Sequence, residues 1–281
     1  MNSSNPYRTV LLFAALGLGF VIRAVFPNAG SQVPSVHEDP FSEGERMTFT
    51  IRWHPPAWLF FIPSIYAGQT TFEAKKAAGL IPGKDVWQLT ARAESSGTLV
   101  SMTGMKVNDY YESWMDPQDL CSYRIFKKIR EGKRQRDVEV IFERGKGSLT
   151  IKETDISQSP PKEIRNQEIT GIPSCVQDVL SIFYSVRSQH LETGKGFVFT
   201  LSDNGRTRQI QARVEKEERV ETPLGVLPSF KVRTQAVFGG LFREGGELTL
   251  WVHKDKVYPV RFEAKVKFGR VFGGLAAYTP R

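Results

Sequence analysis

The chain has 281 residues, enough for one large domain or two small ones. Its 40% hydrophobic content can build a sizeable core, and 19 Phe, 8 Tyr and 5 Trp supply the aromatics that sheets use. The net charge of +8 turns it away from basic partners and toward anionic lipid, acidic glycan or nucleic acid.

The N-terminus narrows this range. Arg8 precedes the apolar run VLLFAALGLGFVI, residues 10–22, which ends at Arg23. A short basic region, a short apolar run and the small residues Ala29-Gly30-Ser31 predict a Sec-type signal peptide over residues 1–31. The run is short for a bilayer span, which needs about 20 residues. Arg23 can snorkel, so an uncleaved anchor from Tyr7 to Phe26 is the alternative. Either way the rest of the chain is expected outside the cytoplasm, in the periplasm or anchored to the inner membrane and facing it. Removing residues 1–31 takes away two arginines and no acids, leaving 8 − 2 = +6. Export makes nucleic acid an improbable partner. It also allows a disulfide between Cys121 and Cys175, although nothing local forces their approach and buried thiols fit as well.

Residues 32–43 read as a polar linker, and residues 44–279 as a single β-rich domain. Arg46 to Trp53 alternates, with Met47, Phe49, Ile51 and Trp53 on one face. Similar patterning predicts strands at Val86–Ala93, Tyr110–Met115, Val138–Phe142, Phe197–Leu201, Phe230–Val237, Leu248–Val252 and Val260–Val266. Asp203-Asn204-Gly205 is the sharpest turn signal, since Asn-Gly suits a two-residue hairpin. Thr222-Pro223-Leu224-Gly225 and His253-Lys254-Asp255-Lys256 are weaker ones. Ser174-Cys175-Val176-Gln177 matches a capping box, and Val176, Val179, Leu180, Phe183 and Val186 recur at helical spacing. A helix over residues 175–189 is therefore expected to lie on a sheet or plug a barrel. The pentapeptide VFGGL occurs at Val237–Leu241 and Val271–Leu275, where the glycine pairs point to bulges or bends in a curved sheet. The expected architecture is a curved antiparallel sheet or incomplete barrel of about ten to twelve strands with one amphipathic helix packed in or on it.

Two segments stand out for recognition. HPPAWLFFIP, His54 to Pro63, holds Trp58, Leu59, Phe60, Phe61 and Ile62 between prolines that deny ladder donors. It reads as a lid over an apolar concavity, a membrane-touching loop, or private packing. Trp58, Phe60, Phe61 and Ile62, with Phe183 on the helix, are the candidate contacts for a lipid or other amphiphile. The second segment is Tyr123 to Arg144, with seven basic residues and one acid between Arg124 and Arg136. It predicts a long hairpin turning at Gly132-Lys133 in which Lys128 faces Asp137. Lys128, Arg130, Lys133 and Arg134 then form a candidate docking surface for an envelope protein or anionic glycan.

Catalytic signals are missing. The histidines His37, His54, His190 and His253 have no metal-ligand spacing, and no G-x-S-x-G elbow occurs. Glu94, Asp109 and Glu112 are weak acid/base candidates. No metal, cofactor or catalytic residue is expected.

The order of FSEGERMTFTIRW, ARAESSG, DYYESWMDP, KKIREGKRQRD, VQDVLSIFYSVR, VETPLGVLPSFKV, FREGGELTLWV and PVRFEAK resembles a family of bacterial exported proteins without assigned activity, domain of unknown function number 3108. The resemblance spans roughly residues 41–278. It implies an envelope β-rich domain and brings no catalytic residues. Members of that family pass quickly from the first strand to an Ala-Gly pair, here Ala67-Gly68. This chain inserts WHPPAWLFFIPSIY between them.

Overall fold

The computed structural model describes residues 42–97, 100–101, 104, 106–234, 248–266 and 269–280. The predicted leader and nearly all of the linker therefore lie outside the described residues, as do the first VFGGL copy and the end of the strand predicted to reach Val237. The strands are β1 Glu45–His54, β2 Ile65–Ile81, β3 Lys84–Ser95, β4 Asn108–Met115, β5 Ser122–Glu131, β6 Arg134–Glu143 and β7 Ser148–Asp155. They continue with β8 Lys162–Thr170, β9 Gly196–Asp203, β10 Arg206–Thr222, β11 Gly225–Thr234, β12 Leu248–His253, β13 Pro259–Lys265 and β14 Arg270–Thr279. A short helix, α1 Ser181–Ser185, precedes a 3-10 turn over Val186–Ser188.

All fourteen strands form one antiparallel sheet in the order β8-β7-β6-β5-β4-β3-β2-β1-β14-β13-β12-β11-β10-β9. Fourteen exceeds the expected ten to twelve because strands with polar or small residues on both faces were not legible as strands. The first and last strands meet in the middle, with Met47 opposite Tyr278 and Trp53 opposite Val271. The ladder does not close, but its edges come together. Arg165 on β8 donates to the Asn204 carbonyl at 3.1 Å, and Lys127 on β5 pairs with Asp203. Asn204 and Gly205 both take positive φ in the β9–β10 turn, as the Asn-Gly signal requires. Residues 171–180 cross the remaining gap. Gln177 donates to the Thr200 carbonyl at 2.7 Å and accepts from Ser202 N at 2.8 Å, while Ser122 N donates to the Val176 carbonyl at 2.8 Å.

That crossing corrects the helix. Gln177 is engaged by β9 as an isolated parallel bridge to Leu201, so it cannot close a capping box with Ser174. The cap is Asp178, whose Oδ1 accepts from Leu180 N at 2.7 Å and Ser181 N at 3.0 Å. The helix spans Ser181–Ser185, not 175–189. Its apolar stripe is buried as the spacing predicts, since Leu180, Phe183 and Val186 are all at most 8% exposed. Phe183 stacks on Phe72 at 4.7 Å and meets Phe49 edge-on at 6.4 Å. Each such burial contributes roughly 1.5–3 kcal/mol. A second apolar cluster lies under β5–β7, built from Ile125, Val138, Val140, Leu149 and Ile151 with Val176 of the crossing segment.

The Tyr123–Arg144 hairpin forms as β5–β6, with Lys128 opposite Asp137. Cys121 and Cys175 are joined in a disulfide, Cα to Cα 5.2 Å, which ties the β4–β5 turn to the crossing segment. Among the described residues no helix is long and apolar enough to cross a membrane.

Candidate functional site

The loop between β1 and β2 is short and ordered. Pro56 caps a 3-10 turn over Ala57–Leu59, with Leu59 N donating to the Pro56 carbonyl at 2.8 Å and Ile62 N to the Leu59 carbonyl at 2.9 Å. Arg52 closes its base, donating from Nε to Ser64 Oγ at 2.9 Å and from a terminal nitrogen to the Ser64 carbonyl at 2.8 Å. Leu59 and Ile62 are half-buried. The rings face outward. Trp58 is 67% exposed, Phe60 87% and Phe61 68%, and the two Phe rings meet edge-to-face at 5.9 Å. Single exposed apolar side chains are ordinary, whereas here three large ones share one ordered turn.

Beside the loop, three neighbouring strands present cations on the outer face. Arg52 lies opposite Phe272 and His54 opposite Arg270, so these four share one face of β1 and β14. Glu263 lies opposite Phe272 and Lys265 opposite Arg270, which extends the face onto β13 together with Arg261. His54 stacks on Phe272 at 4.1 Å, and Arg261 lies over the rings of Trp251 and Phe272 at 5.0 and 5.1 Å. Arg270 pairs with Glu263 at 2.6 Å. Burial and the charges of Arg52 and Arg261 hold the His54 imidazole below its ordinary range. Among the described residues the face thus carries the cations Arg52, Arg261, Lys265 and Arg270 together with the carboxylate of Glu263.

The other sequence-predicted sites look different. Phe183 is core, 8% exposed, and lines a small apolar cavity of about 40 Å³ with Val179, Ile182, Phe199, Ile210 and Leu250. Pockets for small molecules usually hold roughly 300–1,000 Å³. The basic hairpin is largely neutralised within the sheet. Arg124 pairs with Glu112 and Glu139, Lys127 with Asp203, Arg130 with Asp137, Arg134 with Glu131, and Arg136 with Glu153 and Asp155. Lys128 leans over Tyr110 and Phe126 at 5.9 and 5.8 Å. Lys133 is exposed at the turn. The hairpin tip and the aromatic loop leave the same end of the sheet, because both follow strands of like direction.

The three candidate acids do not converge. Glu94 is exposed on β3. Glu112 accepts from Tyr110 Oη, Trp114 Nε1 and Arg124, which fills its carboxylate. Asp109 is buried and accepts from Arg130 N at 2.7 Å. Asp119, Cys121 and Cys175 bring a carboxylate oxygen and two sulfurs within 4.8 Å of one another. The sulfurs are joined to each other, and Arg144 takes the Asp119 carboxylate.

The aromatic loop is visible in the sequence, but the cations beside it are not. Arg52 and His54 are visible as outward positions of β1, in alternation with Ile51 and Trp53. Their neighbours are not, because the glycine pair of β14 breaks its alternation, and only pairing with β14 brings Arg270 to His54.

The family model described as "Protein of unknown function (DUF3108)" matches residues 48–275. No curated protein matches the chain. Among solved structures, the chain is similar to a beta-barrel-like protein of the domain of unknown function DUF1849 from Brucella abortus. The TM-score is 0.56 at 12% identity, covering 86% of this chain and 99% of that one. That likeness shows the fold. A Bacteroides fragilis protein with a YmcC-like fold aligns over 85% of this chain and 97% of its own, at 10% identity and a TM-score of 0.34, too slight a likeness to carry an argument.

Proposed function

The chain belongs to the family described as Protein of unknown function (DUF3108), and we propose that this member is a non-catalytic domain of the cell envelope that settles on a lipid surface through residues 55–64. The observation that carries this reading is the outward projection of Trp58, Phe60 and Phe61 from an ordered, proline-bounded turn. Trp and Phe favour the boundary between headgroups and acyl chains, where an apolar ring is buried without stranding backbone groups. Each ring offers roughly 150–250 Å² of surface, so three together supply several kcal/mol on insertion at about 25 cal/mol per Å².

The envelope location is supported by the leader-like residues 1–31 and by the Cys121–Cys175 disulfide, which suits an oxidising compartment. The loop is preferred to an apolar concavity as the lipid contact because its three rings already stand outward. The non-catalytic reading rests on the dispersal of Glu94, Asp109 and Glu112 and on the saturated carboxylate of Glu112.

Fluorescence tests the reading in the full-length protein. Residues 1–41 contain no tryptophan, so an anchored or leader segment adds no signal. With vesicles whose acyl chains carry bromine, a fraction of the tryptophan emission is expected to be quenched, and Trp58→Phe is expected to lose that fraction. Equal quenching in both proteins, or none in either, contradicts the reading.

A further inference from the structure

The outer face beside the loop has a chemistry of its own. Among the described residues, Arg52, Arg261 and Arg270 on β1, β13 and β14 stand beside one carboxylate, that of Glu263, which pairs with Arg270. Two other stretches of the sheet pair their cations with acids. The β5–β6 hairpin spends its arginines on acids of neighbouring strands, and Lys231 and Arg233 on β11 both pair with Glu215. Arg52 also differs from a solvated surface arginine. Its guanidinium is held at the base of the aromatic loop by Ser64, so its charge stands where the loop leaves the sheet. Arg261 is steadied over Trp251 and Phe272.

Resting on the reading that residues 55–64 meet lipid, we propose that this face, built from Arg52, His54, Arg261, Lys265 and Arg270, selects a membrane surface rich in anionic phospholipid. The geometry fits a two-part contact. The rings of Trp58, Phe60 and Phe61 enter the boundary region, which brings β1 and its neighbours to headgroup level. Lipid phosphates are then met by the fixed positive charge of this face. Basic residues beside an apolar anchor are the known combination for binding anionic membranes, where each well-placed charge strengthens attachment roughly five-fold.

The test compares full-length protein on brominated phosphatidylcholine vesicles with and without phosphatidylglycerol, reading the quenching that depends on Trp58. Phosphatidylglycerol is expected to strengthen the contact. Arg52→Gln with Arg270→Gln is expected to remove most of that gain, roughly five-fold for each charge. Arg52→Lys with Arg270→Lys is expected to keep it. Lys254→Gln with Lys256→Gln removes two exposed cations from the β12–β13 turn at the opposite end of the sheet, and is expected to leave the gain intact. Equal quenching on the two vesicles overturns the proposal, as does loss of the gain in the lysine pair or in the Lys254/Lys256 control. In each of those cases Trp58-dependent quenching persists and the lipid-contact reading stands. Absence of that quenching on both vesicles overturns the two together.

Discussion

Arg187 and Glu45 face each other across 142 residues of sequence, with side chains 1% and 0% exposed. The guanidinium donates to both carboxylate oxygens, at 2.8 Å to Oε2, and its Nε donates to the Val257 carbonyl at 3.0 Å. Tyr278 Oη adds a contact of 3.3 Å to the same carboxylate. One buried pair thus binds the turn after α1 to β1, β14 and the β12–β13 turn. Removing one partner strands a buried charge, so Glu45→Gln or Arg187→Met is expected to cost about 3–5 kcal/mol in urea unfolding. Replacing both by apolar residues of similar size is expected to recover much of the loss. A double variant as unstable as the sum of the singles contradicts this account.

The disulfide fixes the crossing segment. Cys121 and Cys175 are separated by 54 residues, and a loop of that length gives about 4 kcal/mol of stabilisation through restriction of the unfolded chain. Cys121→Ser with Cys175→Ser is expected to lower the melting temperature markedly while leaving Trp58-dependent quenching on vesicles unchanged in the folded protein. A double serine variant as stable as the parent contradicts the assigned role.

Asp109 sets a pH dependence. Burial, with a contribution from Glu131, pushes its carboxyl up to about 6, against the hydrogen bond from Arg130 N. The folded protein therefore holds this proton more tightly than the unfolded chain. Stability contributed by the site is present below pH 3.8 and is lost as pH rises to about 6. Asp109→Asn keeps an acceptor for Arg130 N, so it is expected to flatten that slope and to stabilise the protein at neutral pH by on the order of 1 kcal/mol. Urea midpoints measured across the window check this, and an unchanged slope contradicts it.

The second VFGGL copy has a packing reason. A Cβ at Gly273 would stand 2.2 Å from Cε1 of Phe262, whose ring lies across β14 and meets Phe49 at 5.5 Å. Gly273→Ala is expected to cost about 1–3 kcal/mol. Combined with Phe262→Leu, its cost is expected to fall below the sum of the two single changes. Strict additivity in thermal unfolding contradicts the clash.

Legibility followed burial. Strands with one wet and one dry face announced themselves, as β1 does with Met47 and Phe49. The β5–β6 register was readable to the residue, Lys128 opposite Asp137, because the turn and both arms lie within one short segment. The edge strand β8, KEIRNQEIT, is polar on both faces and carries no period. The long β2 runs through Lys75, Lys76, Ala77 and Ala78, and pairing with β3 makes it a strand where alternation does not. The helix stripe was readable but its start was not, since β9 claims Gln177 from 23 residues away. The aromatic loop showed in the sequence as composition, while the cations around it depend on the meeting of β1 with β14.

A membrane-facing loop puts Phe60 in contact with lipid. A photo-crosslinking benzoylphenylalanine placed at position 60 of the full-length protein in native membranes tests it directly. The control is the same group at Leu224, 46% exposed on the β10–β11 turn at the opposite end of the sheet. Lipid adducts from position 60 and none from position 224 are the predicted result. Equal adduct formation at both positions, or a protein adduct in place of lipid at position 60, contradicts the account.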